Sequence, residues 1–396
     1  MSLQDTPRSN RIHIALFGKR NSGKSSLINA LTGQNVSLVS DVAGTTTDPV
    51  FKSMEIHGIG PCVFIDTAGF DDEGGLGELR VQQTRKALDR TDIAIMVCTS
   101  DNLDDEIKWQ SIIKEKNIPL IWVLNKSDLL KSPDEMMRSI EKKCGTVPIL
   151  VSASEGKGIK DIRNAIIGKM PDETMSSGIT GKLVEENDTV LLVMPQDIQA
   201  PKGRLILPQV QTIRELLDKK CLVFSCTTDK IEQMLKAMVH PPKLIITDSQ
   251  VFKTVYDLKP AESRLTSFSV LFAQYKGDIN YFIEGAKSIS RLNKDSKVLI
   301  AEACTHAPLT EDIGREKIPA MLRKRFGNEL SIDIVSGTDF PEDLSKYDLI
   351  IHCGSCMFNR KYVLNRIDKA KKQNIPMTNY GVTIAYMQGI LDKIDY

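Results

Sequence analysis

The chain has 396 residues and little that would tie it to a membrane, a nucleic acid or an oxidising compartment. No apolar run reaches the ~18 residues of a membrane-spanning helix. Its first residues, Met1-Ser2-Leu3-Gln4-Asp5, lack the basic and apolar layout of a secretory leader, so a cytoplasmic protein is expected. Lys and Arg number 52 against 51 Asp and Glu, and a net charge of +1 gives no electrostatic reason to expect nucleic acid or an anionic membrane as partner. Cysteine is sparse, with eight in all, and histidine sparser, with five. In a reducing compartment such thiols stay free or bind metal. Cys62, Cys98, Cys144, Cys221 and Cys226 stand mostly among Val, Ile, Leu or Phe and read as small packing residues.

The other three cysteines gather with two of the five histidines in Cys304-Thr305-His306 and His352-Cys353-Gly354-Ser355-Cys356. Any one of them alone would pass as a buried hydrophobe. Together they concentrate soft ligands, and Cys-x-x-Cys sets two thiolates on one tight turn, which points to a shared metal site. The apolar runs 298–301 and 349–352 read as strands, so both ligand groups stand at the carboxyl ends of parallel strands, where open α/β sheets keep their ligands. A helix is expected from near Asn359, its N-terminal dipole offsetting thiolate charge. Three cysteines are too few for a closed four-cysteine cluster. One position is left for His306, His352, Glu302, water or an incoming ligand. Zinc in a Cys₃His site fits the same spacing, although placement on an α/β sheet rather than on facing knuckles favours iron.

At the other end of the chain, the apolar run 12–17 enters Gly18-Lys19-Arg20-Asn21-Ser22-Gly23-Lys24-Ser25, followed by Ser26, and fits G-x-x-x-x-G-K-[ST]. The glycines let the main chain curl so that N–H groups face phosphates, Lys24 reaches the β and γ oxygens, and the Ser25 hydroxyl ligates Mg²⁺. The helix that follows points its dipole at the same anion. Residues 63–69 read as a strand ending in Asp66-Thr67-Ala68-Gly69, where Asp66 holds the Mg²⁺ shell and the Gly69 N–H senses the γ-phosphate. Strand 121–124 runs into Asn125-Lys126-Ser127-Asp128. The Asp128 carboxylate accepts from the ring N–H and amine that guanine presents and adenine does not, while Asn125 ties this loop to the first. Ser152-Ala153-Ser154 then faces the base oxygen. This order of motifs resembles the translation-factor-type GTPases, which implies GTP and Mg²⁺.

Between the first helix and the second strand lies Ala43-Gly44-Thr45-Thr46-Thr47-Asp48, similar to the Gly-Thr-Thr-Arg-Asp switch of the tRNA-modification and Era-like GTPases. The resemblance implies that Thr46 joins the Mg²⁺ shell; Thr47 replaces the arginine, so any role of that arginine is missing. In those families the position of Asn21 helps bind K⁺, and Phe70 matches their apolar residue after Asp-x-x-Gly. No glutamine stands ready to orient water, so slow hydrolysis accelerated by K⁺ is expected. Asn21 also has a plainer reading, since asparagine is common in loops for backbone reasons alone. Residues 71–80 form an acidic, glycine-rich second switch.

The passage 171–181 is polar and broken by Pro and Gly, which places a domain boundary there. Short apolar strands at 190–194, 221–226 and 243–247 alternate with helical patterns at 210–217 and 231–238, a parallel βαβ arrangement without phosphate loop, acid–base pair or metal spacing. Lys202-Gly203-Arg204 reads as a solvated loop. A module without chemistry suggests self-association, with strand 221–224 as an interface edge. Helical stripes at Leu265, Phe268, Leu271, Phe272 and Tyr275, then at Phe282, Ile283, Ala286 and Ile289, read as core. The expected fold class is α/β: a P-loop GTPase domain followed by two further α/β domains with mainly parallel sheets.

The Thr45-Thr46-Thr47-Asp48-Pro49 switch, the acidic run, the motif-free middle and the terminal Cys-x-His and His-Cys-x-x-Cys together resemble the HydF family of [FeFe]-hydrogenase maturation GTPases along the full chain. The resemblance implies a [4Fe-4S] cluster on Cys304, Cys353 and Cys356, with His306 and His352 as ligands or their neighbours. It implies a scaffold that receives a two-iron precursor made with radical-SAM maturases and delivers it to the apo-[FeFe]-hydrogenase. It also implies a homodimer formed through the middle domain, giving domains at 1–172 for GTP, 180–262 for dimerisation and 263–396 for the cluster. A tRNA- or ribosome-linked GTPase with a zinc-bound RNA platform is the alternative. That alternative calls for a basic, aromatic-bearing surface, and the tail offers Lys369, Lys371 and Lys372 but few aromatics, as a solvated helix face would.

Overall fold

A computed structural model of the chain describes residues 11–32, 50–56, 59–70, 75–170, 178–195, 205–303, 312–337 and 339–396, with main chain only at 50, 54 and 75–80. Its contacts divide the chain into two units, Met1–Thr174 and Met175–Tyr396.

The first unit is built on six strands: β1 Ile12–Phe17, β2 Val50–Ile56, β3 Gly60–Asp66, β4 Ile93–Cys98, β5 Leu120–Leu124 and β6 Ile149–Leu150. They lie in the order β2-β3-β1-β4-β5-β6, all parallel except β2 against β3. β1 and β4 are apolar at almost every position because both faces of a parallel sheet are covered. On β1, Ile14 and Leu16 meet Leu27, Ile28 and Ile162 on one face, while Ala15 and Phe17 meet Trp109 and Ile113 on the other. Burying each such Ile or Leu contributes about 1.5–3 kcal/mol, which makes β1 the fixed floor from which the following loop leaves.

The second unit holds two four-stranded parallel sheets. One runs β10-β9-β7-β8 and the other β12-β11-β13-β14. Their strands are β7 Thr189–Val193, β8 Leu222–Cys226, β9 Leu244–Thr247, β10 Arg264–Ser267, β11 Lys297–Ala301, β12 Ser331–Val335, β13 Leu349–His352 and β14 Met377–Asn379. One core joins the two sheets, with Leu191, Val193 and Ile245 of the first continuous with Leu299, Ile300 and Ile351 of the second. The other face of the first sheet, at Val190, Leu192 and Ile246, is covered by Phe268, Leu271 and Phe272 of the helix Phe268–Lys276. The fold is therefore α/β throughout.

The reading of Leu265 as the start of a helical stripe is corrected by the structure. Leu265 lies in β10, paired with Ile245 of β9. The helix starts three residues later because the Ser267 hydroxyl caps it, accepting from the Val270 N–H at 3.2 Å. The boundary expected between 262 and 263 falls just ahead of β10, which belongs to the first of these two sheets. Edge strands β2, β12 and β14 have no counterpart in the reading above, although β12, Ser-Ile-Asp-Ile-Val, alternates as a strand does; β12 is only partly covered, and β14 has three residues.

Candidate functional sites

The loop leaving β1 has the curl its glycines require. Gly18 and Gly23 have φ of +153° and +89°, and a Cβ on either would collide with the Val97 carbonyl oxygen or the Asn125 side-chain amide. The Lys24 side chain is buried and its ammonium donates to Gly18 O at 2.8 Å and Lys19 O at 2.9 Å. The loop carbonyls thus hold the charge where a phosphate would meet it. The Ser22 hydroxyl is buried with no hydrogen-bond partner among the described residues, as a side chain that serves an anion would be. Ser26 is exposed, in the first turn of the helix Lys24–Thr32. Asn21 has φ +60°, in the left-handed region where asparagine is favoured, and is exposed. Its backbone alone accounts for its residue type.

Ser25 Oγ donates to Asp66 Oδ2 at 2.5 Å, so the two residues expected around Mg²⁺ meet directly. Burial raises the Asp66 carboxyl above the usual range, against the lowering pull of Ser25, Lys24 and Lys52. A divalent cation between them would replace that hydrogen bond and favour the carboxylate. Gly69 ends the described loop with Phe70, whose ring stacks on Trp109 at 5.7 Å, and Trp109 stacks in turn on Phe17 of β1. The apolar residue after Asp-x-x-Gly is thus an anchor for the second switch. Thr46 and the rest of the first switch lie outside the described residues, as do residues 71–74.

The two loops expected to hold the base are tied to the phosphate-type loop by one side chain. Asn125 is buried, donates through Nδ2 to Ser22 O at 3.0 Å and accepts at Oδ1 from the Ala153 N–H at 3.2 Å. Lys126 takes φ +59°, which turns the chain so that Asp128 faces outward. The Ser152 hydroxyl donates to Asp128 Oδ1 at 2.6 Å and is the main cause holding that carboxyl below its ordinary value. Asp128 is then an ionised acceptor at an open edge, as a guanine N–H and amine need.

In the second unit, β11 and β13 are parallel neighbours, with Ala301 opposite His352. That register brings the segment before Cys304 to the start of the Cys353 loop: Cys353 N–H donates to Ala301 O at 3.0 Å, and Ala303 N–H donates to Cys353 Sγ at 3.0 Å. Ser355 N–H approaches the same sulfur at 3.5 Å. Main-chain N–H groups converging on a sulfur suit a thiolate or a sulfur bound to iron. Cys353 and Cys356 are half-buried, and the helix Arg360–Lys372 follows with Asn359 as its cap. Cys304 and His306 lie outside the described residues. Among the described residues, no group of three or more His, Cys, Asp or Glu could hold a metal ion.

His352 is buried, and both its ring nitrogens are engaged. Arg366 Nη1 lies 3.0 Å from Nε2, and Nδ1 lies 2.7 Å from Cys353 O. Arginine only donates, so Nε2 accepts and Nδ1 carries the proton to the carbonyl. Burial first, then the Arg366 charge, push its pKa down to about 3, so the ring is neutral. Neither nitrogen reaches a metal without losing a partner. Glu302 is likewise committed at one oxygen: Oε2 accepts from Arg315 Nη2 at 2.9 Å and Ser336 Oγ at 2.9 Å. Arg366, Arg315 and the buried Lys276 of the helix Phe268–Lys276 escaped the sequence reading. Only Lys276 left a signal there, as a charge on the apolar stripe through Phe268 and Phe272.

Comparison with known proteins follows this division. The family model for the hydrogen maturase F dimerization domain matches residues 179–277, and that for the hydrogen maturase F tetramerization domain matches residues 280–394, together more than half of the chain. The chain belongs to the hydrogen maturase F family. A third model, 50S ribosome-binding GTPase, matches residues 13–126, so the first unit is a GTPase domain. The tRNA modification GTPase MnmE of Endomicrobium trichonymphae is 38% identical over 162 residues, covering 39% of this chain and 35% of that protein. GTPase Der of Wolinella succinogenes is 39% identical over 166 residues, with the same shares. The chain thus spans about a third of the length of these relatives. A crystal structure of Aquifex aeolicus Era, at 21% identity, covers 57% of this chain and 97% of its own with a TM-score of 0.36, too low to argue from. No helix among the described residues is long and apolar enough to cross a membrane.

Proposed function

We propose that this hydrogen maturase F protein hydrolyses GTP slowly and serves as an iron–sulfur scaffold in [FeFe]-hydrogenase maturation, carrying a two-iron precursor to the apo-hydrogenase. The observation that carries the reading is the register of β11 and β13, which brings Ala303 against the Cys353 sulfur, in a chain that also holds a GTPase domain. Cys304, Cys353 and Cys356 would hold a [4Fe-4S] cluster. Such a cluster, three-coordinated by cysteine, supplies an iron with a position for an exchangeable ligand. The chain's own residues orient it: the N–H groups of Ala303 and Ser355 face Cys353 Sγ, and neutral His352 fixes the Cys353 carbonyl. His352 acts as a neighbour of the cluster, and His306 stays a candidate ligand.

In the GTPase domain, Gly18, Asn21, Ser22, Gly23 and Ser26 line the phosphates, Lys24 neutralises them, and Ser25, Thr46 and Asp66 surround Mg²⁺. Gly69 senses the γ-phosphate, Asn125, Lys126 and Asp128 select guanine, and Ser152 and Ala153 close over the base. K⁺ beside Asn21 would supply the charge that an arginine finger gives elsewhere. Residues 1–172, 180–262 and 263–396 take the GTP, self-association and cluster roles, with β10 completing the middle sheet. The edge strand β8 leaves Leu222 57% and Phe224 41% exposed, which suits a homodimer seam. Radical-SAM maturases are the expected source of the precursor. The likeness to MnmE and Der covers 39% of this chain, too little to support an RNA role for the second unit.

Iron, sulfide and zinc content of anaerobically reconstituted protein, with the EPR spectrum after dithionite reduction, tests the reading beside Cys353→Ser. A [4Fe-4S] signal in the parent that the variant loses is the expected result. Stoichiometric zinc without such a signal would overturn it.

A further inference from the structure

Lys276 ends the helix Phe268–Lys276 and is used by none of the chemistry above. It is 2% exposed. Its nitrogen lies against three main-chain oxygens of the thiol loop, Ser355 at 3.0 Å, Cys356 at 3.4 Å and Phe358 at 2.9 Å. Carbonyls only accept, and three of them call for the three N–H groups of an ammonium where a neutral amine has two. A buried ammonium costs several kcal/mol unless it is met by such partners, so lysine at a core position asks for a reason beyond packing. An apolar residue would serve the stripe through Phe268 and Phe272 as well.

The clamp has a geometric consequence. A trans peptide sets its N–H opposite its C=O, so three carbonyls turned toward the lysine turn the N–H groups of Cys356, Met357 and Asn359 the other way. Ser355, between the two cysteines, is held at φ +48°, a conformation a serine adopts only when its surroundings impose it. The same helix covers the middle sheet through Phe268, Leu271 and Phe272. One side chain therefore links the self-association part to the thiol loop.

We infer that Lys276 is a positioning residue for the cluster loop: it fixes residues 355–358 around Cys356, and its charge favours the more reduced state of a cluster held there. Reduction adds negative charge, and a fixed buried cation beside it raises the midpoint potential. This rests on the iron–sulfur reading above. The full-length protein is reconstituted with iron and sulfide as parent, Lys276→Met, Lys276→Arg and Lys371→Met. The last removes a surface cation, paired with Asp278 at 2.7 Å, that does not touch the loop. Midpoint potential by EPR-monitored titration and the rate of iron loss to a chelator are measured on each.

The Met variant is expected to show a lower potential and several-fold faster iron loss. Arg should bring the potential back toward the parent, and Lys371→Met should match the parent in both. A Met variant with the parent's potential and iron retention overturns the inference, as does an equal shift in Lys371→Met. If Lys276→Met does not assemble, Lys276→Gln decides on the same readouts. A Gln variant that also fails to assemble makes Lys276 a folding requirement and nothing more, which overturns the inference too. A parent that holds no cluster refutes the iron–sulfur reading itself and this inference with it, and that is seen before any variant is made.

Discussion

The two loops resemble each other until the origin of their lysines is traced. Each leaves the carboxyl end of a buried parallel strand, each turns through a left-handed residue, Asn21 or Ser355, and each places a buried ammonium against main-chain carbonyls. Lys24 belongs to the loop's own helix, six residues from Gly18. A phosphate can replace the carbonyls it now touches without moving any other element. Lys276 comes from a helix 79 residues away from Ser355, packed into the core of its unit. A local lysine is a charge the ligand can draw across; a distant one is a fixed part of the wall. The first loop is thus made to exchange its ligand and the second to keep its shape.

Lys24→Ala tests the first half of that contrast and should have the largest effect. It removes the charge from a desolvated anion site, and GTP affinity should fall at least ~100-fold, about 3 kcal/mol. Iron content after reconstitution should equal the parent's. Loss of iron in this variant would show that the two loops are not separate sites. Asp128→Asn follows closely. It turns an ionised acceptor into an amide, so GTP should weaken about 100-fold while XTP, whose base presents a carbonyl in place of the guanine amine, gains. Equal weakening of both nucleotides in a competition assay would mean that Asp128 shapes the loop rather than reads the base.

The same distinction decided what could be read in the sequence. Every element of the first loop is local: Gly18, Gly23, Lys24 and Ser25 fall within eight residues, and Asp66 and Asn125 each end an apolar strand that announces itself. The strands that carry the thiol loop were legible, because β11 and β13 are strongly apolar and Cys-x-x-Cys marks the turn that follows. The loop's supports were not. Arg366 lies 14 residues from His352, and Lys276 lies 80 residues from Cys356; no periodicity encodes either meeting. Leu265 misled for a related reason: the apolar spacing ran on unbroken from β10 into the following helix, and the break is a serine cap that spacing alone does not show.

Arg366→Met probes those distant supports with an intermediate effect. The guanidinium is buried between the rings of Phe340 and Tyr362, and it donates to His352 Nε2 and to Gly337 O at 2.6 Å. Methionine keeps most of the volume but leaves His352 Nε2 unpartnered and takes one of two donors from Gly337 O, which keeps the Tyr362 hydroxyl at 2.9 Å, at a cost of about 2 kcal/mol to the second unit. Denaturant unfolding followed on that unit should show the loss, with a few-fold drop in retained iron. Unchanged stability with a full loss of iron would instead make Arg366 part of the ligand environment. Unchanged GTP affinity is expected in either case.

The smallest effect compares thiols rather than loops. Burial pushes Cys62 and Cys98 up to about 12, so neither forms thiolate at pH 8 in the folded GTPase domain, and neither should react with iodoacetamide until the domain is unfolded. The sign of the pH dependence follows. Above the ordinary thiol value of 9.0 the unfolded chain gives up these protons while the folded one keeps them until about 12. The stability they contribute is therefore whole below pH 9 and falls as pH rises, by about 1 kcal/mol per thiol between pH 9 and 10. Both tryptophans, Trp109 and Trp122, lie in this unit, so intrinsic fluorescence follows its unfolding alone. Cys62→Ala should be less stable at pH 8, because it opens a small cavity, yet should lose less further stability on going to pH 10. A variant that loses as much as the parent over that interval would place the alkaline transition on other groups, and the buried thiols would then differ from those of the thiol loop in packing only.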